Sequence, residues 1–424
     1  MTSGPYLITR EQIEKSNRAR KRVLDKNLAA LAASLKPAKI DLDHVLHELT
    51  RFKIAIPSWG TMTGGTRFGK FPVPGQPRDI FEKLDDAATI HRLTGANPTV
   101  SLHIPWDRLD DLSTLKRHAA KRGLRFDAMN SNTFEDQPGQ KLSYKFGGLS
   151  HVSKQVRDQA IRHHLEVIEI GERLGSKALS IWIGDGANFP GQADFRKSFA
   201  RYLDSLKKIY RALPKDWTMF IEYKPFEPAF YYTVLADWGS ALMAANAVGE
   251  RCKILVDLGH HLPNTNIEAI VARLISAGKL GGFHLNDSQY ADDDLTAASL
   301  APYRLFRIFH ELISAGRELG KKFSPAYLID QSHNLKDPIE ALIQTTVELQ
   351  IYWAKALLID EQALEHYQEK NDVLMAESEF KKAFHTDTRP LAAMARMLAG
   401  GAIAPIELFR ESGYRKIKTR ERNP

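Results

Sequence analysis

Glu222, Asp257, His284 and Asp330 each close a short apolar run: Phe220-Ile221-Glu222, Ile254-Leu255-Val256-Asp257, Gly282-Phe283-His284 and Leu328-Ile329-Asp330. Carboxylates and imidazoles offer oxygen and nitrogen donors to a hard or borderline divalent cation. Three carboxylates gathered at one place would repel one another unless a cation joined them. A second group lies nearby in the chain, where His260 follows Asp257 by three residues and Asp292-Asp293-Asp294 follows the run that ends at His284. Alternate residues Asp292 and Asp294 can turn toward one ion while Asp293 faces water. With Glu222 as a bridge, His260, Asp292 and Asp294 complete the ligands of a second cation. Two cations polarise adjacent oxygens of one substrate. With no thiolate in reach, the donors favour Mn2+ (manganese), two per subunit, over structural zinc, with Co2+, Mg2+ or Zn2+ as substitutes. Taken singly, each feature has a plainer reading: Asp257 can cap a helix, His260 can be a core or surface histidine, and an acidic run can be a solvated loop.

Convergence therefore depends on the elements that carry these residues. Strand-like runs fall at Phe52 to Trp59, Thr99 to Trp106, Arg125 to Ser131, Ala178 to Ile183, Met219 to Tyr223, Lys253 to Leu258, Gly281 to Leu285 and Pro325 to Ile329. Amphipathic helical patterns separate them at Asp158 to Leu174, Phe195 to Leu213, Thr233 to Val248, Ile267 to Ala277 and Tyr303 to Ala315. Eight alternating units predict an α/β fold, a (β/α)8 TIM barrel, whose site lies at the C-terminal strand ends. The barrel is expected over 51–335. A helical segment (1–50, with helices Gln12 to Leu35 and Asp43 to Leu49) precedes it, and a helical extension (336–424) follows with helices Pro338 to Leu358, Glu361 to Phe384 and a stretch from Pro390 to Leu398. That extension pads the barrel or an oligomer contact. No G-x-G-x-x-G follows an early strand and no G-x-x-x-x-G-K-[ST] occurs, which disfavours a doubly wound nucleotide fold. The glycine-rich stretches Thr63-Gly64-Gly65-Thr66-Arg67 and Gly184 to Gly191 read as tight loops over a pocket, with Arg67 and Lys70 free to meet a ligand or another subunit.

Composition narrows the classes. The 424 residues are 43% hydrophobic, enough for a sizeable core. Cys252 is the single cysteine, which excludes an internal disulfide and suits a cytoplasmic protein. No apolar run approaches the roughly 20 residues of a membrane span, and Met1 to Lys26 is not signal-like. The formal charge of +8 is concentrated at the ends, in Arg18, Arg20, Lys21 and Arg22 and in Arg415, Lys416, Lys418, Arg420 and Arg422. These read as solvated arms, so neither nucleic acid nor membrane is an expected partner.

The runs Pro57-Ser58-Trp59-Gly60, Ser101-Leu102-His103-Ile104-Pro105-Trp106-Asp107, Ala128-Met129-Asn130-Ser131-Asn132-Thr133-Phe134, Trp182-Ile183-Gly184-Asp185-Gly186, Val256-Asp257-Leu258-Gly259-His260-His261, Phe283-His284-Leu285-Asn286-Asp287 and Ile329-Asp330-Gln331-Ser332-His333 resemble L-rhamnose isomerase, in the bacterial form that tolerates many aldoses and ketoses. The resemblance runs from about Lys53 to Ser412-Gly413-Tyr414. It implies a barrel, a homotetramer, and a dinuclear manganese site that interconverts L-rhamnose and L-rhamnulose. It places Glu222, Asp257, His284 and Asp330 on a structural metal, with Glu222 shared, and His260, Asp292 and Asp294 on the catalytic metal. Lys224, in the family's Glu-x-Lys segment, would contact the substrate oxygen at the reacting end. Tyr223 departs from the histidine expected there in some members, which bears on substrate preference.

The chemistry implied is a metal-assisted hydride shift between C1 and C2, with an ene-diol route as its competitor; Lys224, His260, Asp292 and Asp294 form the catalytic set. Asp330 also borders the substrate. His103 would assist ring opening or bind a ring oxygen, or serve as a hydrogen-bonded structural histidine. Trp59, Trp106, Phe134 and Trp182 would wall the site against the C6 methyl of a deoxy sugar. Phe68 is a candidate to reach a neighbouring subunit's pocket. Three other readings are weighed. A single-metal ketose 3-epimerase has no need of the second group, and a metal-dependent DNA repair nuclease would require more histidines. A non-catalytic sugar-binding protein would not need clustered carboxylates.

Overall fold

The computed structural model describes residues 7–36, 40–63, 71–227, 232–332 and 335–422. Eight parallel strands follow one another in chain order: β1 (Ile56–Pro57), β2 (Thr99–Ile104), β3 (Arg125–Ser131), β4 (Ala178–Ile181), β5 (Thr218–Glu222), β6 (Cys252–Asp257), β7 (Leu280–Leu285) and β8 (Ala326–Ile329). The sheet closes on itself at Ala55, whose N–H donates to the Tyr327 carbonyl at 2.7 Å and whose carbonyl accepts from the Ile329 N–H at 3.2 Å. Helices α3 (Ile80–Thr94), α4 (Leu112–Lys121), α5 (Lys154–Leu174), α6 (Phe195–Ala212), α7 (Trp238–Val248), α8 (Ile267–Ser276), α9 (Pro302–Leu319) and α10 (Pro338–Leu357) each follow a strand. Their starts are dictated locally. Asp79, Asp111, Asp194, Asp237, Asn266 and Asp337 accept hydrogen bonds from first-turn N–H groups of α3, α4, α6, α7, α8 and α10.

Two separate apolar clusters show which way each strand side chain points. Ile221, Ile254, Val256, Phe283, Leu285 and Ile329 belong to the large core shared with the helices. Ala128, Ala178, Phe220 and Leu255, with Ala326 beside them, fill the barrel floor. Two residues beyond these floor positions the inward side chains turn polar: Asn130, Ser180, Glu222 and Asp257. This period-two step from apolar to polar builds the site.

The flanking helices are α1 (Arg10–Leu35) and α2 (Leu42–Arg51) before the barrel, and α11 (Glu361–Glu369), α12 (Val373–His385), α13 (Arg389–Leu398), α14 (Pro405–Glu411) and α15 (Tyr414–Arg422) after it. They differ from expectation in four places. The first predicted strand shrinks to two residues because Ser58–Thr61 coil into a 3-10 turn. The start of α7 moves from Thr233 to Trp238, since Asp237 caps it and the backbone at Thr233 pairs with Gly186. The predicted helix Glu361 to Phe384 breaks at Asn371, whose φ is 56°, and Asp372 caps a new start. Finally, the basic C-terminus is not a solvated arm. Arg422 donates two hydrogen bonds to Asp86, both at 2.8 Å and both buried, and Arg415 pairs with Asp337 at 2.6 Å. Arg18, Lys21 and Arg22 are exposed as expected, while Arg20 meets Glu411 at 3.1 Å.

Among the described residues no helix is long and apolar enough to cross a membrane. Removing Arg422 leaves the Asp86 carboxylate buried without its main counter-charge. R422A should therefore destabilise the fold by about 3 to 5 kcal/mol, and an apolar replacement of both partners should recover most of that loss, measured by denaturant unfolding.

Candidate metal centre at the barrel mouth

Inward positions at the C-terminal ends of β5 to β8 bring four predicted residues together. Glu222, Asp257 and His284 end or nearly end their strands, and Asp330 directly follows β8. One nitrogen or oxygen of each lies within 4.8 Å of the others, in a geometry that can hold a metal ion. His284 Nδ1 stands 3.1 Å from Glu222 Oε1, 3.3 Å from Asp330 Oδ2 and 3.6 Å from Asp257 Oδ2. Asp257 Oδ1 accepts from the Gly259 N–H at 2.7 Å and from Asn286 Nδ2 at 3.0 Å. Its other oxygen, Oδ2, is buried without a hydrogen-bond partner among the described residues. That orphaned atom, aimed into a cluster of oxygen and nitrogen donors, fits a divalent cation.

Asp257, His260 and Asp292 form a second such group. The Tyr223 carbonyl lies 3.0 Å from His260 Nδ1 and fixes the ring, so Nε2 faces Asp292 Oδ2 at 3.1 Å. Asp257 belongs to both groups, and Glu222 is the residue that the sequence reading makes the bridge. Glu222 still lies between the two histidines, 3.2 Å from His260 Nδ1. Asp294 lines the same cavity but is not a member of either group. Asp293 does not simply face water: it accepts from the Gln289 and Tyr290 N–H groups at 2.6 and 2.8 Å and shapes the loop that presents Asp292. Lys224, two residues beyond Glu222 on the inward side, is buried and lies 2.7 Å from Asp292 Oδ2.

The opposite wall is aromatic. Trp59, His103, Trp106, Phe134 and Trp182 line the cavity together with Lys224 and Asp330. His103 stacks on Trp106 with ring centres 3.7 Å apart, and Phe134 leans on Trp182 at 4.4 Å. Trp59 Nε1 donates to Asp330 Oδ1 at 2.8 Å, which ties the end of β1 to the end of β8. Phe68, Arg67 and Lys70 lie outside the described residues, as does His333. The second glycine-rich loop is built around Asp185, which accepts from the Gly148 and Ser150 N–H groups at 2.8 Å each. It is a structural tie rather than an anion cradle.

Residues 89–317 match the family described as Xylose isomerase-like TIM barrel. Over 98% of its length the chain is 54% identical to a probable sugar isomerase of Mesorhizobium japonicum, covering 96% of that protein. A probable sugar isomerase of Rhizobium meliloti is 53% identical over 98% of this chain and 97% of its own. The chain belongs to the xylose isomerase-like TIM barrel family. Among solved structures, L-ribulose 3-epimerase superposes with a TM-score of 0.51 at 14% identity, covering 76% of this chain and 97% of that one, a likeness of fold.

Within this family's barrel, charge governs the mouth. Burial disfavours a charged imidazole at His260, yet Asp257 and Asp292 override it and lift the group to about 9. Burial likewise opposes His284, and Glu222, Asp257 and Asp330 carry it well above the usual histidine range. Burial pushes the Asp330 carboxyl up to about 6, with Asp257 and Glu222 adding to the rise against His284. His103 goes the other way, since burial and the nearby His163 and Lys83 hold its imidazole neutral.

The sequence reading missed Asn286, which orients Asp257, and Asn130, Ser131, Ser180 and Ser332, which line the cavity. Period two was the available signal: 282, 284 and 286 face inward together.

A cation must displace the proton on His260 before it can take Nε2. Mn2+ binding should therefore release protons, and its apparent affinity should rise from pH 6 to pH 9 by up to about tenfold per unit for each proton displaced, read by calorimetry in buffers of different ionisation enthalpy.

Proposed function

We propose that the protein is a divalent-metal-dependent aldose–ketose isomerase that interconverts L-rhamnose and L-rhamnulose and tolerates L-mannose, L-lyxose and D-allose. The observation that carries this reading is one cavity lined by members of two cation-capable groups, which share the buried Asp257, with four aromatic side chains opposite. High identity to two probable sugar isomerases supports the reaction class. A single-cation epimerase leaves the group of Asp257, His260 and Asp292 without a purpose. Among the described residues, nothing at the mouth resembles a surface for a nucleic-acid backbone.

Two Mn2+ ions per subunit, held by Glu222, Asp257, His284 and Asp330 and by Asp257, His260 and Asp292, would polarise the C1 and C2 oxygens of the sugar. Asp294 borders the second group. Lys224 brings a fixed positive charge to the place where an oxyanion develops. His103 is neutral, and its Nδ1 has no partner among the described residues, so it can exchange a hydrogen bond with a ring or anomeric oxygen. Trp59, Trp106, Phe134 and Trp182 exclude water and offer apolar area to the C6 methyl. On this reading the hydrogen passes between C1 and C2 as a hydride, with a proton-transfer route through an ene-diol as its competitor. The proposal extends to a cytoplasmic homotetramer, which the resemblance to L-rhamnose isomerase implies.

Purified protein with Mn2+ should form ketose from L-rhamnose, lose that activity on chelation and regain it on metal addition. Persistent inertness with manganese present overturns the reading. K224M should lower kcat by about 100-fold or more with the fold intact. Deuterium at C2 should be retained in product formed in light water, whereas washout would favour the ene-diol route.

A further inference from the structure

The Lys224 ammonium and the second cation site draw on the same carboxylate, that of Asp292. Asp292 Oδ2 lies 2.7 Å from Lys224 Nζ and 3.1 Å from His260 Nε2, the nitrogen through which His260 would share a cation with Asp292. A divalent ion drawn to a buried carboxylate repels an ammonium already held by it, whichever of its two oxygens the ion takes. The Lys224 side chain is only 3% exposed, so an ammonium that leaves Asp292 finds little water to solvate it in place. It therefore needs a second carboxylate within its own reach.

Glu227 supplies one. Its Oε2 lies 3.0 Å from Lys224 Nζ on the solvent side, with 34% of the side chain exposed. The residue is held at a φ of 79°, in the left-handed region that favours glycine. A glutamate kept in that conformation, where glycine would sit without strain, points to a use for the carboxylate. The Trp182 ring, 5.2 Å from Nζ, gives the ammonium a π face through any movement between the two acids.

We propose that Glu227 retains the Lys224 ammonium when Asp292 is yielded to the second cation, the contact it already makes at 3.0 Å becoming the main one. Glu227 is on this account a positioning residue acting through Lys224. The inference rests on the reading of the mouth as a two-cation centre and is tested without sugar.

Mn2+ is titrated into the full-length protein by calorimetry, with free ion followed by electron paramagnetic resonance. D330N assigns which class of site belongs to the first group. Wild type should bind two ions. E227Q should weaken the second site by about tenfold or more and leave the first unchanged, as expected for loss of a charge-assisted contact. E227G should show the same loss while melting at a higher temperature, because the backbone strain is relieved. K224M should tighten the second site, and K224M/E227Q should match K224M. Fewer than two bound ions, an E227Q or E227G protein with wild-type affinity, or an equal E227Q loss in the K224M background would each overturn the proposal. If the coupling appears and L-rhamnose is not converted, the hold of Glu227 on the ammonium stands and the proposed reaction falls.

Discussion

Negative charge kept out of water is the constraint on which the barrel mouth depends. Glu222, Asp257 and Asp292 are buried, and Asp330 is nearly so, within contact of one another's neighbours. Such a group is unfavourable unless cations answer it. Without a metal the protein answers with its own, His260, His284 and Lys224, each drawn into contact with two or more carboxylates. The carboxylates and imidazoles of the mouth thus form groups that could hold a divalent ion. The stability that tolerates this arrangement comes from elsewhere, from the continuous apolar core between strands and helices.

The floor works only because a surrounding layer removes freedom from each group. Asn286 and the Gly259 N–H take one oxygen of Asp257 and leave the other aimed at the cluster. The Tyr223 carbonyl holds His260 by Nδ1, and Trp59 holds Asp330 by Oδ1. Further out, the Asp107 carboxylate receives Lys83 Nζ at 2.6 Å and the His103 N–H at 2.9 Å, with the Ser58 hydroxyl also bound to it. That buried knot joins the turn carrying Trp59 to the strand end carrying His103, so the aromatic wall and the acidic floor are set by one framework.

Much of this was legible in the sequence, for a physical reason. Strands covered on both faces read as apolar runs, and where a run ends in a carboxylate or imidazole the parallel barrel forces that residue to the same rim as its counterparts. All four strand-end ligand candidates could therefore be named before any coordinates. Elements failed where local chemistry outvoted pattern: Ser58–Thr61 curled because Pro57 ends the strand pairing, and Asn371-Asp372 split a helix whose apolar spacing continues through it. The ion pair of Arg422 with Asp86 was hidden because it joins residues 336 positions apart, and a basic tail alone carries no sign of its partner. Asp294 illustrates the remaining limit. Alternation in a loop has no fixed period: Asp292 joins a group, while Asp294, at a φ of 48°, lines the same cavity.

Tyr223 shows what coordinates add to a sequence departure. Next to Glu222 and Lys224, it invites the thought that a histidine replaced by tyrosine alters the fit of the sugar. The period of the strand says otherwise: 222 and 224 face the cavity, so 223 faces the helices. Its ring is buried there, and its hydroxyl lies 2.7 Å from His261 Nε2. The hydroxyl bond ties the end of β5 to the turn that carries His260, while the carbonyl of the same residue orients the His260 ring. A change at this position acts on the placement of a candidate ligand, whereas Trp59, His103, Trp106, Phe134 and Trp182 are the side chains that face the cavity.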